Sequence, residues 1–121
     1  MNVNGKTNLW IETVDKLAAQ EYKEEEVVWV GSEDGKFAIT WSAFKEIANK
    51  EYDNSFGGCE VAVDLVIVGE GFWLGRAEDD GKEWWELKTP SRVTHVPERK
   101  KKAKSFTVVI GAYWPTLASL N

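Results

Sequence analysis

The sequence is poor in the residues that most catalytic and metal chemistries draw on. Its 121 residues include one cysteine, Cys59, one histidine, His95, one methionine and three prolines. A single cysteine excludes an intrachain disulfide and points toward a reducing compartment. One histidine and one cysteine fall short of the usual donor set of a structural zinc site, so no metal or other cofactor is expected. No apolar run approaches the roughly 18 residues of a membrane-crossing helix. Residues 1–10 lack the apolar core and cleavage pattern of a signal peptide, so the chain is expected in the cytoplasm, with no membrane partner. Basic charge is short as well, with 15 Lys and Arg against 20 Asp and Glu and a formal net charge of -5. Generic nucleic-acid binding calls for a basic surface and is not expected. A small anionic ligand would need positive charge gathered in one place.

Tryptophan is abundant, at seven residues, within an ordinary globular composition of 43% hydrophobic and 29% charged residues. The length suits one domain over 1–121. Residues 1–8 are polar and expected to fray. Thr7 or Asn8 can cap a helix over 9–21, whose Trp10, Val14, Leu17 and Ala18 share one face. Val27–Val30 reads as a strand, Glu33–Lys36 as a turn and Phe37–Ile39 as the return. Thr40 caps a second helix over 41–51, stopped by the segment 52–58 with its Gly57-Gly58 pair. Strands are expected over 61–68, 72–78, 82–88 and 105–113, with a polar, basic loop over 91–104. The pattern predicts an α+β domain: a mainly antiparallel sheet of about six strands with two helices packed on one face.

The hairpin at 72–88 holds the most information. With Asp80-Gly81 as a two-residue turn, Ala77 faces Trp84, Arg76 faces Trp85, Gly75 faces Glu86 and Leu74 faces Leu87. One side then carries Phe72, Leu74, Arg76, Trp85 and Leu87, which reads as core with Arg76 at its margin. The other carries Trp73, Gly75, Ala77, Trp84, Glu86 and Lys88. This second side reads as a shallow aromatic platform, edged by Glu86, Lys88 and Arg76, that could stack a base, a sugar or a peptide side chain. Tyr52 and Phe56, beside the glycine pair, complete the candidate binding set. The competing reading is that the second helix covers this side and its indoles are core.

No constellation for catalysis stands out. His95 lies in the polar loop with no local partner for a Ser–His–acid relay. Cys59 could act as a nucleophile only beside a base. Glu78, Asp79 and Asp80 cluster three carboxylates, but on a turn where Asp is favoured for backbone reasons. Gly69-Glu70-Gly71 is followed by a strand and lacks the setting of a phosphate loop. The basic residues of 99–104 form either a solvated linker or a local anion grip.

The segments EYDNSFGG (51–58), DLVIVGEGFWLGRAEDDG (64–81) and KEWWELKTP (82–90) resemble small phage- and prophage-encoded accessory proteins of Gram-positive bacteria. The resemblance covers roughly 26–90 and supplies no functional residues. It implies a viral accessory gene, a class that often blocks host defence by binding a host protein or sequestering a nucleotide-like signal. The expectation is therefore a non-enzymatic binding protein of the host cytoplasm. A small hydrolase using Glu78, Asp79, Glu86 or Cys59 is one alternative, and a virion assembly protein is another. Exposed strand edges and spare aromatic surface also favour a homodimer slightly over a monomer.

Overall fold

Asn8 and Thr40 start two helices by the same local device. The Asn8 side chain accepts from the Ile11 N–H at 3.0 Å, and Thr40 Oγ1 accepts from the Ala43 N–H at 3.0 Å. Each satisfies an amide that has no partner within its helix. The helices are α1, Leu9–Ala19, and α2, Trp41–Ile47. The computed structural model describes residues 6–53, 58–88 and 103–121.

The strands are β1 (Lys6–Asn8), β2 (Val27–Ser32), β3 (Ala38–Ile39), β4 (Glu51–Asp53), β5 (Leu65–Gly69), β6 (Phe72–Asp79) and β7 (Lys82–Lys88). A third helix, α3, spans Leu117–Leu120. Five strands form one antiparallel sheet in the order β3-β2-β5-β6-β7, and β1 and β4 pair separately. Leu9 and Leu17 of α1, Phe44 of α2 and Leu117 of α3 all join one core. Val30, Ile67, Leu74 and Trp85 meet them from the sheet. The α+β class, the antiparallel sheet and the placing of helices on one face follow the expectation.

Four expected elements differ. Residues 6–8 pair with β4 instead of fraying, and this pairing ends α2 early: Leu9 and Trp10 donate to the Lys50 and Ala48 carbonyls at 3.0 and 2.9 Å. The buried stripe of α1 is Leu9, Thr13 and Leu17, because the Thr13 hydroxyl is needed inside. It donates to the Leu9 carbonyl and receives the Trp85 indole N–H. Regular pairing of the strand expected at 61–68 begins only at Leu65, and Val61 makes a lone bridge to Ile110. Residues 105–113 form no strand: Phe106 and Val109 are the buried pair, spaced by three, and the segment is held by bridges at Lys104 and Ile110. The Asn121 side chain accepts from the Thr107 and Val108 amides, taking the place of a neighbouring strand. His95 and most of the 91–104 stretch lie outside the described residues.

Strand β5 is buried on both sides, as its unbroken Leu-Val-Ile-Val run requires. Leu65 is fully buried. Leu65→Ala is expected to cost about 2–5 kcal/mol in urea unfolding. A change under about half a kcal/mol would place Leu65 outside the core.

Candidate functional site

Hairpin β6–β7 has the expected register throughout, from Asp79 opposite Lys82 to Trp73 opposite Lys88. Asp80 and Gly81 have φ of 55° and 85°. That backbone makes a two-residue turn whose twist matches the strands, and Asp and Gly tolerate it best. The hairpin therefore has two defined faces, and the candidate residues divide between them.

On the core face lies a closed polar cluster. The Arg76 side chain is only 2% exposed. Its Nη2 donates to Glu83 Oε1 and to the Tyr52 hydroxyl, both at 3.0 Å. Its Nη1 lies 3.6 Å from Glu12 Oε2. The Tyr52 hydroxyl passes the chain on by donating to Glu12 Oε1. The guanidinium sits over the Trp85 ring, 4.7 Å from its centroid. Glu83 accepts the backbone N–H groups of Glu60 and Val61 at 2.7 and 3.2 Å. One cluster thus ties β6 and β7 to α1, β4 and the segment leading to β5. Burial pushes Glu12 above its ordinary value despite the nearby Arg76. Burial also holds the Tyr52 hydroxyl protonated, since it raises that group far above its usual range.

Arg76 is thus not the edge of an aromatic platform, and Tyr52 does not line one. Both are buried on the opposite face. Among the described residues Arg76 Nε and Nη1 have no hydrogen-bond acceptor, a cost offset by the ionic contact with Glu12 and the stack on Trp85. Glu12, Glu60 and Glu83 escaped the sequence reading. Glu83 was findable: the same register sets it on the core side, diagonal to Arg76. Glu12 carried no such signal.

The outer face carries Trp73, Trp84, Glu86 and Lys88, together with Trp29 of β2. Trp29 is opposite Val68, and Val68 opposite Trp73, so the two indoles flank β5. Each ring folds along its own strand over a glycine two residues on. A Cβ at Gly31 would meet Trp29 at 2.6 Å, and one at Gly75 would meet Trp73 at 3.2 Å. The rings roof Val66 and Val68, which are buried although the three helices lie on the other side. Trp73 is itself only 5% exposed, with the Lys88 ammonium 5.3 Å from its ring centroid. Trp84 is 39% exposed, and Glu86 and Lys88 form a 3.5 Å surface ion pair beside it. Val28, an extra residue that shifts the β2 register, is 44% exposed next to Trp29. Phe56 lies outside the described residues.

The residues considered for hydrolysis do not meet. Glu78 and Asp79 are exposed at the hairpin tip, and Glu86 is on the outer face paired with Lys88. Cys59 is buried, and burial with the charge of Glu83 pushes its thiol up to about 11, which leaves it protonated at neutral pH. Among the described residues no cluster of His, Cys, Asp and Glu has the makings of a metal site.

A second exposed aromatic pair lies near α3. Tyr113 and Trp114 both adopt left-handed backbone, with φ of 57° and 53°. That conformation costs roughly 1–3 kcal/mol at each bulky residue. The Trp114 ring covers Gly58 and the Trp114 backbone N–H donates to the Cys59 carbonyl at 3.0 Å, while Tyr113 projects into solvent.

Comparison with protein-family models, curated proteins and solved structures finds no match for the chain.

Glu83→Ala would take from Arg76 its nearer carboxylate and leave the Glu60 and Val61 amides without their acceptor. A loss of about 3–5 kcal/mol is expected in urea unfolding at neutral pH. A loss below about 1 kcal/mol would show that the cluster is not a structural tie. Glu12 gives the cluster a pH signature. Its carboxyl binds a proton more readily when folded than when unfolded, so its contribution to stability falls as pH rises from the ordinary glutamate value through the raised one. Glu12→Gln should flatten the stability–pH curve over that window, measured by unfolding titrations at successive pH values.

Proposed function

We propose that the chain is a non-catalytic binding protein that docks on a host protein through the outer face of its five-stranded sheet. The observation that carries this reading is the composition of that face. Trp84 and Val28 are partly exposed, and the Glu86–Lys88 ion pair lies beside Trp84. The three helices among the described residues are engaged on the other side. An exposed tryptophan beside paired charge suits a protein surface, where a few large anchors carry most of the binding energy.

The same geometry weighs against a nucleotide-like ligand on this face. Arg76 is committed to Glu83 and Tyr52 on the opposite side. Trp73, the natural stacking ring, is covered by Lys88. The resemblance of residues 26–90 to phage accessory proteins supports placing this binding in counter-defence, in the cytoplasm of an infected cell.

Val28 and Trp84 are three strands apart, so one substitution at each end samples the whole face. Val28→Asp and Trp84→Ala should each reduce capture of the host protein, by at least about tenfold for the tryptophan. Quantitative co-purification from a Gram-positive host, wild type against variants, reads this directly. A thermal-shift panel of cyclic nucleotides and ADP-ribose derivatives should leave Tm unmoved. A clear nucleotide-dependent rise, with capture indifferent to both substitutions, would overturn the proposal.

A further inference from the structure

Tyr113 and Trp114 take up left-handed backbone in succession, where glycine would make the same turn without steric cost. The turn is tied down on both sides. The Gly111 N–H donates to the Glu60 carbonyl at 2.7 Å, the Trp114 N–H to the Cys59 carbonyl at 3.0 Å, and the Val63 N–H to the Pro115 carbonyl at 2.8 Å. The Leu117 N–H donates to Asp64 Oδ1 at 3.0 Å. These bonds hold the backbone and leave the Tyr113 side chain outside them. It is 77% exposed, the highest value of any large hydrophobic side chain among the described residues, and Trp114 is 50% exposed. Among the described residues the Tyr113 ring stacks on no other ring. Strain borne by a bulky residue that packs against nothing points to a use for the side chain outside the fold.

The charges nearby say what such a pair would hold. Ser105 to Asn121 contains no charged side chain, and the stretch it is tied to, 58–64, contains only Glu60 and Asp64. Asp64 is occupied by the Leu117 amide. Glu60 donates its N–H to Glu83, and Glu83 lies opposite Glu78 across the hairpin. Glu83 is paired with Arg76, but among the described residues Glu60 and Glu78 form no ion pair. Their negative field reaches the Trp114 backbone: Cys59, whose carbonyl that residue binds, has its thiol pushed up by burial first and then by Glu83 and Glu78. Aromatic ring faces and unpaired carboxylates both attract a cation, and an anionic ligand would be repelled by the same carboxylates.

We propose that Tyr113 and Trp114, with Glu60 and Glu78 as counter-charges, form a binding site for an arginine or lysine side chain on a basic segment of a partner protein. The site stands apart from the outer face of the sheet and does not depend on what that face binds.

A titration followed by the tryptophan indole N–H signals in NMR tests this. The probe is the capped pentapeptide acetyl-Gly-Arg-Gly-Arg-Gly-amide, and its control carries neutral citrulline at both arginines. The arginine peptide should shift the Trp114 indole signal with a Kd on the order of millimolar. The citrulline peptide should leave that signal in place, and the Trp84 indole should answer to neither. Tyr113→Gly should weaken binding at least about threefold while Tm stays at or above the wild-type value, because glycine relieves the left-handed backbone. The double variant Glu60→Gln with Glu78→Gln should weaken binding by a similar factor and flatten its salt dependence. Equal shifts at Trp84 and Trp114 would reduce the effect to general charge attraction and overturn the proposal. Binding that survives Tyr113→Gly would do the same, as would a fall in Tm of more than about 4 °C in that variant, which would make the tyrosine structural. A Trp114 signal that moves on dilution of the protein alone would assign the site to a second copy of the chain instead.

Discussion

Arg76 and Glu83 face each other diagonally across β6 and β7 with their charged ends out of water, and much of the architecture can be traced to keeping them satisfied. Removing both charges from solvent costs several kcal/mol each, and their attraction offsets this only with good geometry and further hydrogen bonds. The chain supplies those from four other places: Glu12 on α1, Tyr52 on β4, the Trp85 ring beside Arg76, and the amides of Glu60 and Val61. Each of these segments is thereby fixed against the hairpin. The two-stranded β1–β4 sheet places Tyr52 where it reaches both Arg76 and Glu12. A purely apolar cluster of the same size would tolerate several packings, whereas a network of this directionality tolerates few.

How much of this was legible depended on whether the deciding signal was local. The hairpin was, because an Asp-Gly turn fixes the register and the register fixes the faces. The register alone separates Trp85, Leu74 and Leu87 from Trp73, Trp84 and Glu86. Asn8 and Thr40 were legible as caps for the same reason. What stayed hidden depends on distant partners. Nothing in Lys6–Asn8 announces that Glu51–Asp53 will pair with it, so a polar terminus looks frayed and α2 looks longer than it is. The segment 105–113 alternates like a strand, yet among the described residues no continuous neighbour pairs with it, and Asn121 accepts from its Thr107 and Val108 amides instead. The register sets Arg76 on the correct face but only at its margin, because Glu12 and Tyr52, which join Glu83 in drawing it inside, come from distant segments.

The outer face illustrates a separate constraint. A sheet whose helices all lie on one side must still shield a buried central strand on the other. Here Trp29 and Trp73 do this in place of a helix, each lying over a glycine in its own strand. The repeated Trp-x-Gly spacing of 29–31 and 73–75 is therefore a packing device. It explains why a side that is not covered by helices is neither wholly polar nor wholly open. It also leaves Trp84, with Ala77 opposite rather than a glycine, as the aromatic with no such role on that face.

The seven indoles consequently occupy very different surroundings. Trp85 is enclosed, with its N–H on Thr13 and a guanidinium over its ring. Trp10 and Trp41 lean on each other and on Phe44. Trp29 and Trp73 lie flat as a roof, and Trp84 and Trp114 meet water. Intrinsic fluorescence is then a composite in which each population answers to a different event. Loss of tertiary structure shifts the enclosed emitters to the red. Anything that settles on the outer face changes the solvent-relaxed emission of Trp84 and leaves the enclosed Trp85 as an internal standard.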